Sequence, residues 1–250
     1  MTERVGIVFV SHSVQLAEGV VALAGQMAPS VRFVAAGGTD DGGIGTSFAK
    51  VSAAVGDADA GAGVVVISDL GSALLTAETV LDLLTDEQRA QVAVVDVPFV
   101  EGGVAAAVAA ESGADLAAVV AAAEDARSAW AEAALSASGA APASGAAPGS
   151  GAAPASGAAA SAGPGGRYVR EVVLRNKDGL HARPAAEFVK LANTFGASVT
   201  VNGKDAKSLL GIMSLGLTAG TTAEIASSDD DGVPAVDALA ALIETGFGEA

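Results

Sequence analysis

The sequence contains no cysteine and only two histidines, His12 and His181, among its 250 residues. Without cysteine the chain cannot form a disulfide, a thiol nucleophile or a cysteine-ligated metal site. Two histidines argue against a His-rich metal site, so we expect neither a metal nor a cofactor. Aromatic residues make up only 4% of the chain, whereas hydrophobic residues make up 51%. We therefore expect a substantial core that is built mainly from aliphatic side chains.

Basic residues are scarce, with 13 Lys and Arg against 29 Asp and Glu, which gives a net charge of −16. Such a charge repels phosphate backbones and anionic bilayers, which argues against nucleic-acid binding and against a peripheral-membrane role. The longest uncharged stretch, residues 133–166, is rich in Ala, Gly, Ser and Pro and is too weakly apolar to enter a bilayer. The first residues show no signal-peptide layout. We therefore expect a cytoplasmic protein.

Residues 136–166 mark the clearest boundary in the chain. The unit Ser-Gly-Ala-Ala-Pro recurs there at a spacing of six residues. This composition has too little large apolar surface to offset the entropy of ordering, so it predicts a flexible linker stiffened by proline. A random-coil estimate gives an end-to-end distance of roughly 30 Å. The linker separates residues 1–135, with net charge −13, from residues 167–250, with net charge −3.

Residues 1–135 alternate between predicted strands and helices. A nearly continuous apolar run at Val5–Val10 is typical of a strand that is buried on both faces. Helical spacing of apolar residues follows at Leu16 to Met27. Further strands are predicted at Val31–Ala35, Val64–Ile67 and Val92–Val95, and further helices at Ser47–Val55, Ala73–Leu84 and Gly103–Leu135. Repeated strand–helix units predict an α/β fold with a doubly wound parallel sheet.

Residues 167–250 show a different mixture of short strands and helices. Val172 and Leu174 alternate with outward-facing residues, and an Asn202-Gly203 turn follows a strand at Ser198–Val201. Another strand is predicted at Thr222–Ala226, and helices are predicted at Ala185–Thr194, Leu209–Leu215 and Val233–Thr245. This pattern predicts a small open-faced α/β sandwich.

His12 follows the carboxyl end of the first predicted strand, and Asp69 follows the third. Ligands of doubly wound sheets bind at this edge. If these strands are neighbours, Asp69 can hold one imidazole nitrogen protonated and leave the other nucleophilic. The glycine-rich loop containing Gly45, Thr46 and Ser47 precedes a helix and could cradle a phosphoryl group. Alternatively, His12 is structural or solvated and Asp69 caps the next helix. The loop lacks the Gly-Lys-Ser/Thr ending of a nucleotide P-loop, so by itself it does not establish a phosphate site.

His181 precedes a predicted helix whose first turn contains Pro184, a position where the missing N–H costs little. The free amides of that turn and the neighbouring Arg183 favour a bound anion such as phosphate. The alternative is an ordinary glycine-containing turn before a helix. Both histidines thus lie at helix starts that suit anions, on separate domains. A histidine phosphoryl carrier is the chemistry that fits this arrangement.

Residues 179–189, Gly-Leu-His-Ala-Arg-Pro-Ala-Ala-Glu-Phe-Val, together with residues 207–216, closely resemble HPr, the histidine phosphocarrier of the phosphoenolpyruvate:sugar phosphotransferase system. The resemblance covers residues 168–246. It implies that His181 carries phosphate and that Arg183 assists. Ser208 falls where some HPr proteins carry a regulatory phosphoserine, although a plain helix N-cap is the interpretation we favour.

Residues 6–13, 45–47, 68–72 and 98–103 resemble the mannose-type IIA fold, and this resemblance covers roughly residues 3–132. A mannose-type IIA domain joined to an HPr domain is similar to the DhaM family. These proteins are the phosphotransfer subunits of phosphoenolpyruvate-dependent dihydroxyacetone kinase.

The resemblance implies a sequence of transfers from phosphoenolpyruvate to enzyme I, then to His181, then to His12, and finally to ADP bound on the DhaL subunit. The ATP so formed is used on dihydroxyacetone bound by DhaK. Because the chain ends after the HPr-like part, we expect a separate enzyme I. The resemblance also implies a homodimer through the N-terminal domain. The alternatives are a sugar-transport IIA/HPr protein that passes phosphate to a IIB protein, and a regulator whose phosphorylation state is sensed.

Overall fold

The computed structural model describes residues 3–139, 160–162, 167–176 and 179–248. The N-terminal part contains a parallel sheet whose strands are β1 (Gly6–Ser11), β2 (Phe33–Gly37), β3 (Val64–Ser68) and β4 (Val92–Val95). The strand order is β2-β1-β3-β4. This order confirms the predicted parallel sheet, and it places β1 directly beside β3.

Helices cover both faces of this sheet: α1 (Val14–Met27), α2 (Phe48–Ala58), α3 (Gly71–Asp82), the short α4 (Asp86–Arg89), α5 (Phe99–Glu111) and α6 (Leu116–Gly139). Ile7 and Phe9 of β1 pack with α1, α5 and α6, whereas Val8 and Val10 pack with α2 and α3. Alternate side chains of one strand thus enter two separate apolar layers, as a doubly wound fold requires. Among the described residues, no helix is both long and apolar enough to cross a membrane.

The C-terminal part is an antiparallel sheet of β5 (Ala160–Ala162), β6 (Tyr168–Val173), β7 (Thr200–Val201), β8 (Lys204–Asp205) and β9 (Thr222–Ser227), in the order β5-β6-β9-β7-β8. The helices α7 (Ala182–Ala192), α8 (Leu209–Ser214) and α9 (Val233–Glu244) share one apolar cluster with the inward-facing strand residues, and a short 3-10 helix follows at Gly246–Gly248. This arrangement confirms the predicted α/β sandwich.

The boundary segment 136–166 differs from a simple linker where the structure describes it. Helix α6 continues to Gly139, and residues 160–162 form β5, which pairs with the edge of β6. Small residues suffice for β5 because strand pairing uses backbone groups. Residues 140–159, which contain most of the repeated segment, lie outside the described residues, so the flexible linker and the exact domain limits stay predictions.

Candidate functional site

Residues that follow β1 and β3 meet at the carboxyl edge of the parallel sheet. His12 Nδ1 lies 2.9 Å from Asp69 Oδ1. The other Asp69 oxygen, Oδ2, accepts hydrogen bonds from the backbone N–H of His12 at 2.9 Å and from the Ser11 hydroxyl at 2.8 Å. The structure therefore brings the two predicted residues together. The alternative that Asp69 caps the next helix is wrong, because Leu70 is the N-cap residue of α3.

The charge state of Asp69 determines which imidazole nitrogen is reactive. Burial raises the pKa of Asp69, but the hydrogen bonds from His12 and Ser11 outweigh it, so the pKa lies below its ordinary value. Asp69 is then ionised at neutral pH and can only accept hydrogen bonds. The proton of a neutral His12 consequently lies on Nδ1, and Nε2 keeps its lone pair. With 21% of its side chain exposed, His12 remains accessible from solvent.

Nε2 of His12 faces the start of α3. The Ser72 hydroxyl, in the first turn of this helix, lies 2.7 Å from Nε2. The N-cap residue Leu70 offers no side-chain hydrogen bond to that turn. A negative group on Nε2 would therefore meet the positive end of a helix that has no side-chain cap. Ser72 lies within residues 68–72, which resemble the mannose-type IIA fold, and its position at a helix start three residues after Asp69 is the sequence signal that points to it.

The glycine-rich loop has its polar groups engaged within the protein. The Gly45 amide donates to the His12 carbonyl at 2.9 Å, and the Ser47 hydroxyl caps α2. Thr46 Oγ1 lies 3.0 Å from Thr76 Oγ1 of α3. Each of these polar groups has a partner within the protein, and the phosphate-binding role of Gly45, Thr46 and Ser47 stays a prediction. The contacts of Gly45 and Thr46 hold the loop against His12 and α3.

Large apolar side chains lie exposed on the loops and first helical turns at this sheet edge. Ile44 is 78% exposed, Leu70 is 60% exposed and Leu75 is 63% exposed. Leu16 and Phe48, near the starts of α1 and α2, are also exposed. All of them lie on the loops and helices that begin at the edge of the sheet where His12 lies, and exposed apolar residues at such a site favour contact with another protein. His12 thus lies within a surface suited to a protein partner.

His181 lies exposed as the N-cap residue of α7 and makes no side-chain capping bond. The preceding Gly179 has φ +69°, and a Cβ there would collide with the Leu217 carbonyl, so only glycine fits this turn. The Arg183 guanidinium is exposed, with Nε 3.8 Å from a Glu187 carboxylate oxygen. The start of α7 and the Arg183 side chain therefore offer a positive environment beside His181.

Ser208 is the N-cap residue of α8, and its hydroxyl accepts a hydrogen bond from the Gly211 amide at 3.2 Å. This geometry agrees with the helix-cap interpretation, and a regulatory role stays a prediction. Across the described ranges, no group of three or more His, Asp or Glu is arranged to hold a metal ion.

Two family models match the chain. The model described as "PTS system fructose IIA component" matches residues 6–120, and the model described as "PTS HPr component phosphorylation site" matches residues 168–245. Both matches coincide with the two folded parts described above.

Three curated relatives extend this comparison. The DhaM phosphoryl donor subunit of the PEP-dependent dihydroxyacetone kinase of Escherichia coli K12 is 36% identical over 98% of this chain and 51% of that protein, so the chain spans about half of its length. A DhaM subunit of Listeria innocua is 35% identical over 42% of this chain and 84% of its own length. The phosphocarrier protein HPr of Vibrio cholerae is 43% identical over 31% of this chain and 95% of its own length. By these matches, the chain belongs to the DhaM family of phosphoryl donor subunits of PEP-dependent dihydroxyacetone kinases.

Proposed function

We propose that the chain relays a phosphoryl group from phosphoenolpyruvate, through enzyme I, to His181 and then to His12. His12 then passes the group to ADP that is bound on a separate DhaL subunit. The ATP formed there phosphorylates dihydroxyacetone that is bound by DhaK. One observation carries this proposal. Ionised Asp69 holds Nδ1 of His12 while Nε2 faces the start of α3, which has no side-chain cap.

The step between the histidines needs no proton transfer at His12. The phosphorus–nitrogen bond at His181 breaks as a new bond forms to Nε2, which already carries a lone pair. The imidazole of His12 gains positive charge in this step, and the Asp69 carboxylate at 2.9 Å stabilises that charge. The Ser72 hydroxyl, released from Nε2, can donate to a phosphoryl oxygen. Positioning and electrostatic stabilisation therefore account for the chemistry.

Ser72→Ala is expected to slow phosphoryl transfer to His12 by about 10- to 100-fold, because a hydrogen bond to a charged group contributes roughly 1.5–3 kcal/mol and each ~1.4 kcal/mol is a factor of ten. Rapid-quench measurement of His12 labelling would test this. Thr79→Ala is the matched control, since the Thr79 hydroxyl lies on the same helix and donates only to the Leu75 carbonyl. Equal rates for Ser72→Ala and the control would exclude a role for Ser72 in the transfer.

A protein acceptor fits the surface around His12 better than a free nucleotide does. Exposed apolar side chains near this edge of the sheet, of which Ile44 and Leu75 are the most exposed, suit a protein interface. Residues 1–135 carry a net charge of −13, which repels free ADP. We therefore infer that ADP reaches His12 only when a partner subunit presents it.

The acceptor assay separates the proposed function from its alternatives. We expect the phosphorylated protein to be inert with free ADP and to form ATP when DhaL loaded with ADP is added. A mannose-type IIB protein serves as the competing acceptor, and its phosphorylation would be followed in parallel. Discharge to the IIB protein, with no response to DhaL and ADP, would instead assign the chain to sugar transport. If the phosphohistidine remains stable in the presence of each acceptor, the result would favour a regulator whose phosphorylation state is sensed.

A further inference from the structure

Residues 102–110 of helix α5 are apolar on all sides, and the helix is covered on two faces. Ala106, Ala107 and Ala110 pack against the sheet of the N-terminal domain. Val104 and Val108, on a different stripe of the helix, belong to the apolar cluster of the C-terminal domain. A helix that is hydrophobic all round requires cover on every side. The outer face of α5 therefore needs an occupant in addition to its own sheet.

The C-terminal domain is that occupant in this structure. Helices α7 and α8 contact α5, while α7 also contacts α1 and α8 also contacts α6. We call this contact region, formed by α7 and α8 with α1, α5 and α6, the seam. At one end of the seam, Lys190 Nζ of α7 lies 3.1 Å from Glu111 Oε1 at the end of α5. The Glu111 side chain is only 3% exposed, and its other oxygen accepts from the Ser30 amide at 2.9 Å. The two domains thus share apolar contacts and one ion pair to a buried carboxylate.

The seam also contains features that weaken it. Burial, followed by the repulsion of Asp205 and Glu124, raises the pKa of Asp125 on α6. A cavity of about 240 Å³ lies between the domains, and Asp125, Asp205, Lys207 and Ser208 line it together with alanine, valine and leucine side chains. Facing acidic groups and incomplete packing are typical of an interface that opens. The Lys190–Glu111 pair is consequently a main polar attachment across a loosely packed seam.

The docked position keeps the two histidines apart. Helix α1 starts beside His12 and ends at Met27, which contacts the C-terminal domain. With 14 residues α1 is about 20 Å long at roughly 1.5 Å per residue. Glu111 likewise ends α5, so the Lys190 pair lies at the sheet edge opposite His12. Helix α7 contacts α1 and α5, whereas Nε2 of His12 faces the start of α3, which packs on the opposite face of the sheet.

We propose that the outer face of α1, α5 and α6 is a docking site for the HPr-like domain of the same chain, and that this docked state is a resting state. Phosphoryl transfer from His181 to His12 proceeds only after the domain is released and turns its His181 end to the carboxyl edge of the sheet. The Lys190–Glu111 ion pair sets how much of the protein is docked. The gating of transfer rests on the proposed relay, whereas the docking itself does not.

Distance measurement tests the docking directly. Because the chain has no cysteine, spin labels can be placed on Leu83→Cys and Val233→Cys, two exposed positions outside the seam helices. We expect one narrow distance distribution in the otherwise unaltered chain, and a broad one after Lys190→Glu, which sets two carboxylates against each other. Arg167→Glu is the matched control, because Arg167 pairs with Glu224 inside the C-terminal domain at 2.9 Å. This control should keep the narrow distribution.

The same variants test the gating. In single-turnover labelling with phosphoenolpyruvate and enzyme I, Lys190→Glu should pass phosphoryl from His181 to His12 about tenfold faster than Arg167→Glu, since like charges across an interface strongly oppose docking. A broad distance distribution in the unaltered chain would overturn the docking. A narrow distance found only between labels on different chains would also overturn it, because a second copy of the chain would then cover α5. Release without faster transfer would overturn the gating. If neither histidine accepts phosphoryl, the proposed relay fails while the distances still decide the docking.

Discussion

His181→Ala is expected to abolish all labelling of the chain by phosphoenolpyruvate and enzyme I, whereas His12→Ala is expected to retain full labelling of the C-terminal domain. In the proposed relay His181 is the entry point and His12 accepts only from it. The exposed position of His181 at the start of α7 suits contact with a large donor, and the carboxylate at His12 suits stabilisation of a phosphohistidine. Radiolabelled phosphoenolpyruvate and proteolytic separation of the two domains would measure the outcome.

Each variant serves as the control for the other, because both replace one histidine side chain with the methyl group of alanine. His181 is exposed at the start of α7, so we expect the helix to remain folded in His181→Ala. Circular dichroism would verify this. Strong labelling of His181→Ala, with enzyme I shown to be free of any HPr, would contradict the order of transfer. Labelling of neither variant would show that His12 is needed at entry, which the relay excludes.

Asp69→Asn is expected to slow transfer to and from His12 by about 10²-fold or more. The substitution removes the negative charge that stabilises phosphorylated His12. It also places an amide N–H group where a carboxylate oxygen accepts, which can reverse the tautomer and turn the lone pair of His12 away from the phosphoryl donor. Single-turnover kinetics with phosphorylated His181 as the donor would measure the effect.

Asp82→Asn provides the control for Asp69→Asn, since Asp82 also pairs with a cation, Arg89 at 3.0 Å, but lies exposed at the end of α3. That variant should transfer at the normal rate. Thermal unfolding of both variants would separate a kinetic effect from a loss of structure. A folded Asp69→Asn protein with normal kinetics would rule out the assigned role of Asp69.

Most of the secondary structure could be predicted from the sequence, because its apolar patterns are strong. The continuous apolar run of β1 and the helical spacing along α1 each correspond to one element of the structure. The elements that were missed, α4, β5, β8 and the 3-10 helix, have four, three, two and three residues. Elements of this size carry too few residues to show a period, and their formation depends on neighbouring backbone.

The sequence by itself determined the two folded parts, the location of His12 and Asp69 after strands, and the location of His181 at a helix start. These features follow from local apolar periodicity and from the rule that chain segments leave parallel strands at one edge. Only the tertiary structure decided that β1 and β3 are neighbours, that Ser72 faces Nε2, and that the Gly45 amide is engaged by His12. It also decided that the C-terminal domain covers α5. Each of these features depends on contacts between residues that are far apart in the chain. Such contacts produce no periodic pattern in the sequence, so they could not be predicted from it.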